Sequence, residues 1–169
     1  MLKKTICCLM AAMLLLTSAA CGSKAPAAPT LKEGVTLQSI VDTLAEKYGF
    51  TMPAELDDSI LKDILGIDPE DVEEYTGYIT MVNISTDNLI AIKAKEGKVE
   101  TVQKKLEERQ DAQAKEFEQY LQDQYQKVTA GKVIVIGDYV FLATLCRMDE
   151  DPATEAADIE TFIRGSFTE

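Results

Sequence analysis

The sequence predicts an α+β domain in which N-terminal helices are followed by ββαββα, with a mainly antiparallel four-stranded sheet and helices packed on one face. Three observations carry that expectation. Apolar residues recur at helical spacing up to about residue 75, two pairs of β-rich runs follow, and each pair is closed by turn residues and succeeded by a helical segment. The pattern is a doubled ββα order, with no other internal repeat.

In order, Leu37, Ile40, Val41, Leu44 and Tyr48 share one helical face, with Thr36 placed to cap and Gly49 to stop. Ile60, Leu61, Ile64 and Leu65 make a short helix before Gly66, and Asp68-Pro69 opens another that carries Val72 and Tyr75. Tyr78 to Ser85 and Leu89 to Ala94 then read as strands, joined at Thr86-Asp87-Asn88. A second hairpin pairs Val133 to Ile136 with Tyr139 to Leu145 across Gly137-Asp138, a two-residue loop of the type tight hairpins prefer. Between the hairpins one long polar helix is expected from about Lys98 to Lys127, and Pro152 to Arg164 closes the chain as a helix capped by Asp151.

The first 20 residues read as an export leader. Lys3 and Lys4 supply a basic start, Ile6 to Leu16 an apolar run, and Thr17-Ser18-Ala19-Ala20 small side chains suited to a signal peptidase. Because Cys21 follows directly, the expectation is a lipoprotein leader (1–20), acylation of Cys21 and a flexible tether over 21–35, with one domain over 36–169. Ordinary secretion is the competing reading, because Ser18 and Ala20 also satisfy a small-x-small rule and an aliphatic residue is missing at position 18. Thr5 to Ala20 spans 16 residues, short of the ~20 that cross a bilayer core. The protein is thus expected at the extracytoplasmic face of the cell membrane, held by lipid.

The chain carries a net charge of −12, and the leader holds two Lys and no acid, so the part beyond residue 20 stands at −14. A field of that sign excludes nucleic acid as a partner. The acidic runs Glu55 to Glu74 and Asp149 to Glu160 read as solvated surfaces. The sequence contains no His, which removes Ser-His-Asp and Cys-His catalysis and His-containing zinc sites. Cys146 is the only thiol left once Cys7, Cys8 and Cys21 are assigned to leader and anchor, so no internal disulfide is expected and the thiol reads as inert. Asp149-x-Asp151 with Glu160 resembles a calcium loop, but Ala153 and Thr154 occupy a ligand place and the turning Gly place. No metal, cofactor or catalytic residue is assigned.

The long helical segment contains the one candidate ligand site. At about 100° per residue, Val99, Leu106, Phe117, Tyr120, Leu121 and Val128 share a face with Gln110, Gln113 and Gln124, and Arg109 stands beside it. A helix of 30 residues would run ~45 Å, beyond a strand's ~17–20 Å, so the segment either overhangs the sheet, bends, or lines a polar pocket with Arg109, Gln113, Phe117 and Tyr120. In the pocket, the guanidinium could hold a carboxylate.

The spacing Arg109-x3-Gln113-x3-Phe117-x2-Tyr120-x3-Gln124, with Gly137-Asp138-Tyr139 and an acidic Gly66-Ile67-Asp68 segment, resembles a domain-of-unknown-function family of small lipoproteins from Gram-positive anaerobes. The resemblance covers about residues 36 to 165 and implies a leader, a spacer and one α+β domain, without implying an activity. Family versions often carry Pro after the Tyr-Leu pair, where this chain has Gln122.

Two classes of function follow. The favoured one is a non-enzymatic accessory domain that binds an envelope protein or small ligand. The alternative is a carboxylate-dependent hydrolase of envelope polymers, with acid pairs such as Asp57 and Asp58 as candidates. Adjacent acids point apart, so a hydrolase needs two carboxylates from separate elements converging within ~5–10 Å in a concavity.

Overall fold

A computed structural model describes residues 28–168. Five antiparallel strands form one sheet in the order β1-β2-β3-β5-β4. These are β1 (Pro53–Glu55), β2 (Val72–Thr80), β3 (Asn88–Ala94), β4 (Lys132–Ile136) and β5 (Tyr139–Ala143). The helices are α1 (Leu37–Tyr48), α2 (Val99–Phe117), α3 (Gln122–Ala130) and α4 (Pro152–Gly165), with a π-helical turn at Ile60–Ile64 and a 3-10 turn at Pro69–Asp71. The class is α+β, as expected, with one strand more. β1 has three residues, too few for a period-2 signal.

Local chemistry sets several of these elements. Thr36 and Ser39 form a reciprocal capping box at the start of α1, satisfying amides that otherwise lack partners. Asp151 accepts from Thr154 N at 2.8 Å and precedes Pro152, the first residue of α4. The Gly137-Asp138 hairpin pairs Ile136 with Tyr139.

Helices cover both faces of the sheet, which corrects the expected one-faced packing. Alternation along β3 sends Leu89 and Ala91 to one side and Ile90 and Ile92 to the other. The first side meets Leu37, Ile40, Val41 and Leu44 of α1 and Ile159 and Ile163 of α4. The second meets Leu61 of the π-helical turn and Val102 and Leu106 of α2. A central strand buried on both faces reads as an unbroken apolar run, as Leu89-Ile90-Ala91-Ile92 does.

Two further expectations change. Val72 and Tyr75 lie on β2 rather than on a helix, and β2 stops at Thr80, so 81–87 is loop. The segment from Lys98 to Lys127 is two helices, because Leu121 takes an extended conformation (φ −134°, ψ 102°). Gln110 Nε2 then donates to Val128 O at 2.7 Å and Gly131 O at 2.9 Å. Eighteen residues of continuous helix would separate such groups by ~27 Å, so α3 folds back on α2. The break occupies residues 118–121, between Phe117 and Gln122, and contains no Pro.

Residues 1–20 and Cys21 lie outside the described residues. The second half of the proposed tether is paired: Leu31 bridges Phe167, Lys32 N donates to Ser166 O at 3.0 Å, and Thr168 N donates to Thr30 O at 2.8 Å. These contacts place residues 30–32 within the folded unit rather than in a tether.

Candidate functional site

The four residues of the helical stripe do not form one open pocket. Gln113 is 4 % exposed, and its Oε1 accepts from Asn88 Nδ2 at 2.6 Å. Asn88 Nδ2 also lies 2.9 Å from both Thr86 O and Thr144 Oγ1. Gln124 Oε1 accepts from Thr86 N at 3.1 Å. The glutamines that interrupt the apolar stripe are therefore spent on buried polar groups joining α2 and α3 to the start of β3 and the end of β5. Phe117 is buried, Tyr120 is exposed, and their rings lie 6.1 Å apart.

Arg109 is partly buried with its Nε lacking a partner, and burial pushes its guanidinium below the ordinary value, opposed only by Glu116. It forms no salt bridge among the described residues, so removing it strands no carboxylate. Arg109→Met, which keeps the apolar stem, is expected to unfold within ~1 kcal/mol of wild type or at higher denaturant, since an unpaired buried N–H is relieved. A loss above ~3 kcal/mol in urea unfolding would reveal a buried ionic partner.

The concavity lies elsewhere. A cleft of about 650 Å³ opens between the end of α1, the following Gly49-Phe50-Thr51, the loop at Ile84 to Asp87, the first half of α3 and the segment Leu145 to Pro152. Its size suits a small ligand or a few residues of peptide. Two ion pairs frame it. Lys127 Nζ lies 2.5 Å from Asp87 Oδ1, with both side chains 10 % exposed, and Asp87 Oδ2 accepts from Ser85 Oγ at 2.7 Å. Arg147 donates through Nε (3.1 Å) and Nη2 to Oε1 of Glu155, whose side chain is 3 % exposed.

Tyr48 stands by the second pair. Burial and then the Glu155 carboxylate push its phenol well above the ordinary value. Neither the Tyr48 hydroxyl nor Glu155 Oε2 has a partner in direct hydrogen-bonding geometry, although both atoms are buried. Arg147 holds the Glu155 carboxyl below the ordinary glutamate value. Burial, followed by Glu155, pushes the Cys146 thiol up. Cys146 lies beyond the end of β5, half-buried, with Sγ 3.3 Å from Arg147 O.

The depressed Glu155 value has a pH consequence. Its contribution to stability is complete above the ordinary value of 4.5 and is lost as the pH falls from there through the folded value. Other depressed carboxyls, including Asp57, Asp151 and Glu160, act in the same direction. Arg147→Ala should shrink the loss of denaturation midpoint on acidification. An acid slope equal to wild type would show that Arg147 does not control Glu155.

The sequence singled out no residue of this cleft as a ligand contact. Lys127 and Asp87 are 40 positions apart, and no periodicity joins a helix residue to a hairpin loop. Asp57 and Asp58 are outside it: Asp57 Oδ1 accepts from Ile60 N at 2.8 Å, and Asp58 Oδ1 accepts from Tyr75 OH at 2.7 Å. Asp151 serves as the expected helix cap, and no group of three or more potential metal ligands occurs among the described residues.

A domain of unknown function, DUF4358, matches residues 46–145, more than half of the chain. The chain belongs to the DUF4358 family. No curated protein and no solved structure matches it. The DUF4358 match runs from the end of α1 to Leu145 and takes in the sheet, the α2–α3 pair and the Lys127–Asp87 pair. Arg147, Glu155 and α4 follow it.

Proposed function

We propose that this DUF4358 protein is a membrane-anchored extracytoplasmic lipoprotein, lipidated at Cys21, whose domain is a non-enzymatic binding module with the cleft as its ligand site. The observation that carries the binding reading is the state of the cleft's ionisable groups. Tyr48 and Cys146 are pushed up, Glu155 is pushed down, and Lys127 and Asp87 neutralise one another. General acid–base work favours a group tuned toward the operating pH, whereas Tyr48, Cys146 and Glu155 are tuned away from it. The alternative, a carboxylate-dependent hydrolase, draws little support from this arrangement: Asp87, the buried carboxylate of the lining, and Glu155, behind the lining residue Arg147, are each committed to a cation. The anchor rests on the leader pattern ending at Cys21, and a diacylglyceryl group with an N-acyl chain would supply the multiple hydrocarbon chains that stable attachment needs.

Each half has its own test. Cys21→Ser should abolish incorporation of a fatty-acid probe and leave the precursor unprocessed, whereas labelling equal to wild type would overturn the anchor. For the cleft, Cys146 is a built-in reporter, since it lines the cavity and is the sole thiol expected beyond Cys21. Maleimide alkylation of Cys146 at mildly alkaline pH should slow when host envelope fractions are added. A rate unchanged by every fraction would overturn the cleft as the ligand site.

A further inference from the structure

Of the six large apolar side chains left exposed on the described residues, two line this cleft and two more stand next to its edge. Ile84 and Met148 line it and are 54 % and 89 % exposed. Met52 follows the lining residue Thr51, and Met81 follows Thr80, whose Oγ1 donates to Thr51 O at 2.9 Å. Pro53 pairs with Thr80, so Met52 and Met81 emerge together at the ends of β1 and β2. Exposed apolar groups clustered on a concave rim mark an interaction surface. Unbranched, polarisable Met side chains conform to apolar partners of varied shape.

Charge narrows the partner. Both cations of the cleft are taken, Lys127 by Asp87 and Arg147 by Glu155. Asp123, Asp149 and Glu150 remain on the lining, with Glu150 only loosely approached by Arg147 at 4.0 Å. The cleft thus carries exposed apolar and exposed acidic side chains together, within a chain of net charge −12, and its complement is cationic and apolar.

The cleft also lies far from where the described chain begins. β3 runs from Asn88, beside Thr144 and the cleft loop, to Ala94, whose N donates to Asp138 O at the far hairpin. The N-terminal segment meets the fold at that far end, with Pro29 against Gly137. Seven strand residues put ~20 Å between the two ends. The described N-terminal segment therefore joins the domain at the end opposite the cleft.

Resting on the binding-module reading, we infer that the cleft takes a cationic, apolar peptide segment of a partner protein. Backbone and apolar side chains lie along the Met and Ile rim while Lys or Arg meets Asp149 and Glu150.

The chain contains no Trp, so a Trp-bearing peptide reports binding by its own emission. The probe is a short Lys/Leu peptide with one Trp, titrated onto the full chain in neutral detergent, beside a Glu/Leu and a Lys/Ser peptide. The Lys/Leu peptide should bind, slow Cys146 alkylation and weaken in high salt. Ile84→Gln with Met148→Gln, and Asp149→Asn with Glu150→Gln, should each raise its Kd about tenfold or more. Asp111→Asn with Glu118→Gln, on α2 and its C-terminal end, should not. Equal binding of the Glu/Leu peptide, or equal loss in the α2 control, would overturn the inference. So would self-association of the wild type abolished by Ile84→Gln with Met148→Gln, which would make a second copy the occupant. Protection of Cys146 by envelope glycan fragments but not by peptide would overturn the partner class and leave the site standing. Protection by nothing would remove both.

Discussion

Lys127→Ala is expected to lose about 3–5 kcal/mol of unfolding free energy, an effect large enough to leave a domain of ordinary stability only marginally folded. The pair it breaks is nearly dry: Lys127 and Asp87 side chains are each 10 % exposed and lie 2.5 Å apart. Truncating the lysine leaves the Asp87 carboxylate buried with Ser85 Oγ as its remaining side-chain donor. The effect is one of stranded charge rather than of a lost contact. Lys127→Met combined with Asp87→Leu should therefore recover most of the loss, because replacing a buried pair by apolar groups of similar volume is often neutral. Urea unfolding of the two variants checks this. A change below ~1 kcal/mol in Lys127→Ala would mean that water reaches Asp87, and the cleft would be wetter and more open than described.

Gly77→Ala is expected to be as damaging by a different route, at about 3 kcal/mol or more. Gly77 lies inside β2 at φ +142°, a region that side chains disfavour, and a Cβ there would sit 2.1 Å from the carbonyl oxygen of Leu89. That neighbour is backbone of the central strand and cannot swing aside. Relief requires β2 to move off β3, which would disturb the Gly77–Ile90 pairing and the bond from Leu56 N to Gly77 O. Gly97→Ala is the control, since it too has a positive φ, at +77°, but nothing lies within 4 Å of its would-be Cβ. It should show backbone strain alone, ~1 kcal/mol. Equal midpoints for the two variants would show that the close approach of β2 to β3 carries no penalty.

The glutamines at 110, 113 and 124 show how a sequence signal can be sound while its meaning depends on the fold. Their place on an apolar face was legible, and so was the need for a bend, overhang or pocket. The bend occurs, and the same glutamines then bond the backbone of α3, Asn88 and Thr86. Nothing local distinguishes a glutamine awaiting a ligand from one awaiting an asparagine 25 residues away. β2 was hidden for a related reason. A bulge between Val72 and Glu74 sets Glu73 and Glu74 both in solvent, and Val72 and Tyr75 at a spacing of three then imitate a helix.

The sequence by itself determined the α+β class, the capped helices α1 and α4, and the hairpin at Gly137-Asp138, because caps, turn residues and periodicity act over a few residues. It also determined the charge that disfavours nucleic acid and the absence of His. Only the tertiary structure decided that both faces of the sheet are covered, that one helical segment is two, and that Lys127 meets Asp87 and Arg147 meets Glu155 around a cleft. The physical reason is that burial and ion pairing depend on which groups are brought together after the chain closes on itself. Partners such as Lys127 and Asp87, 40 residues apart, leave no shared mark on the local pattern of either.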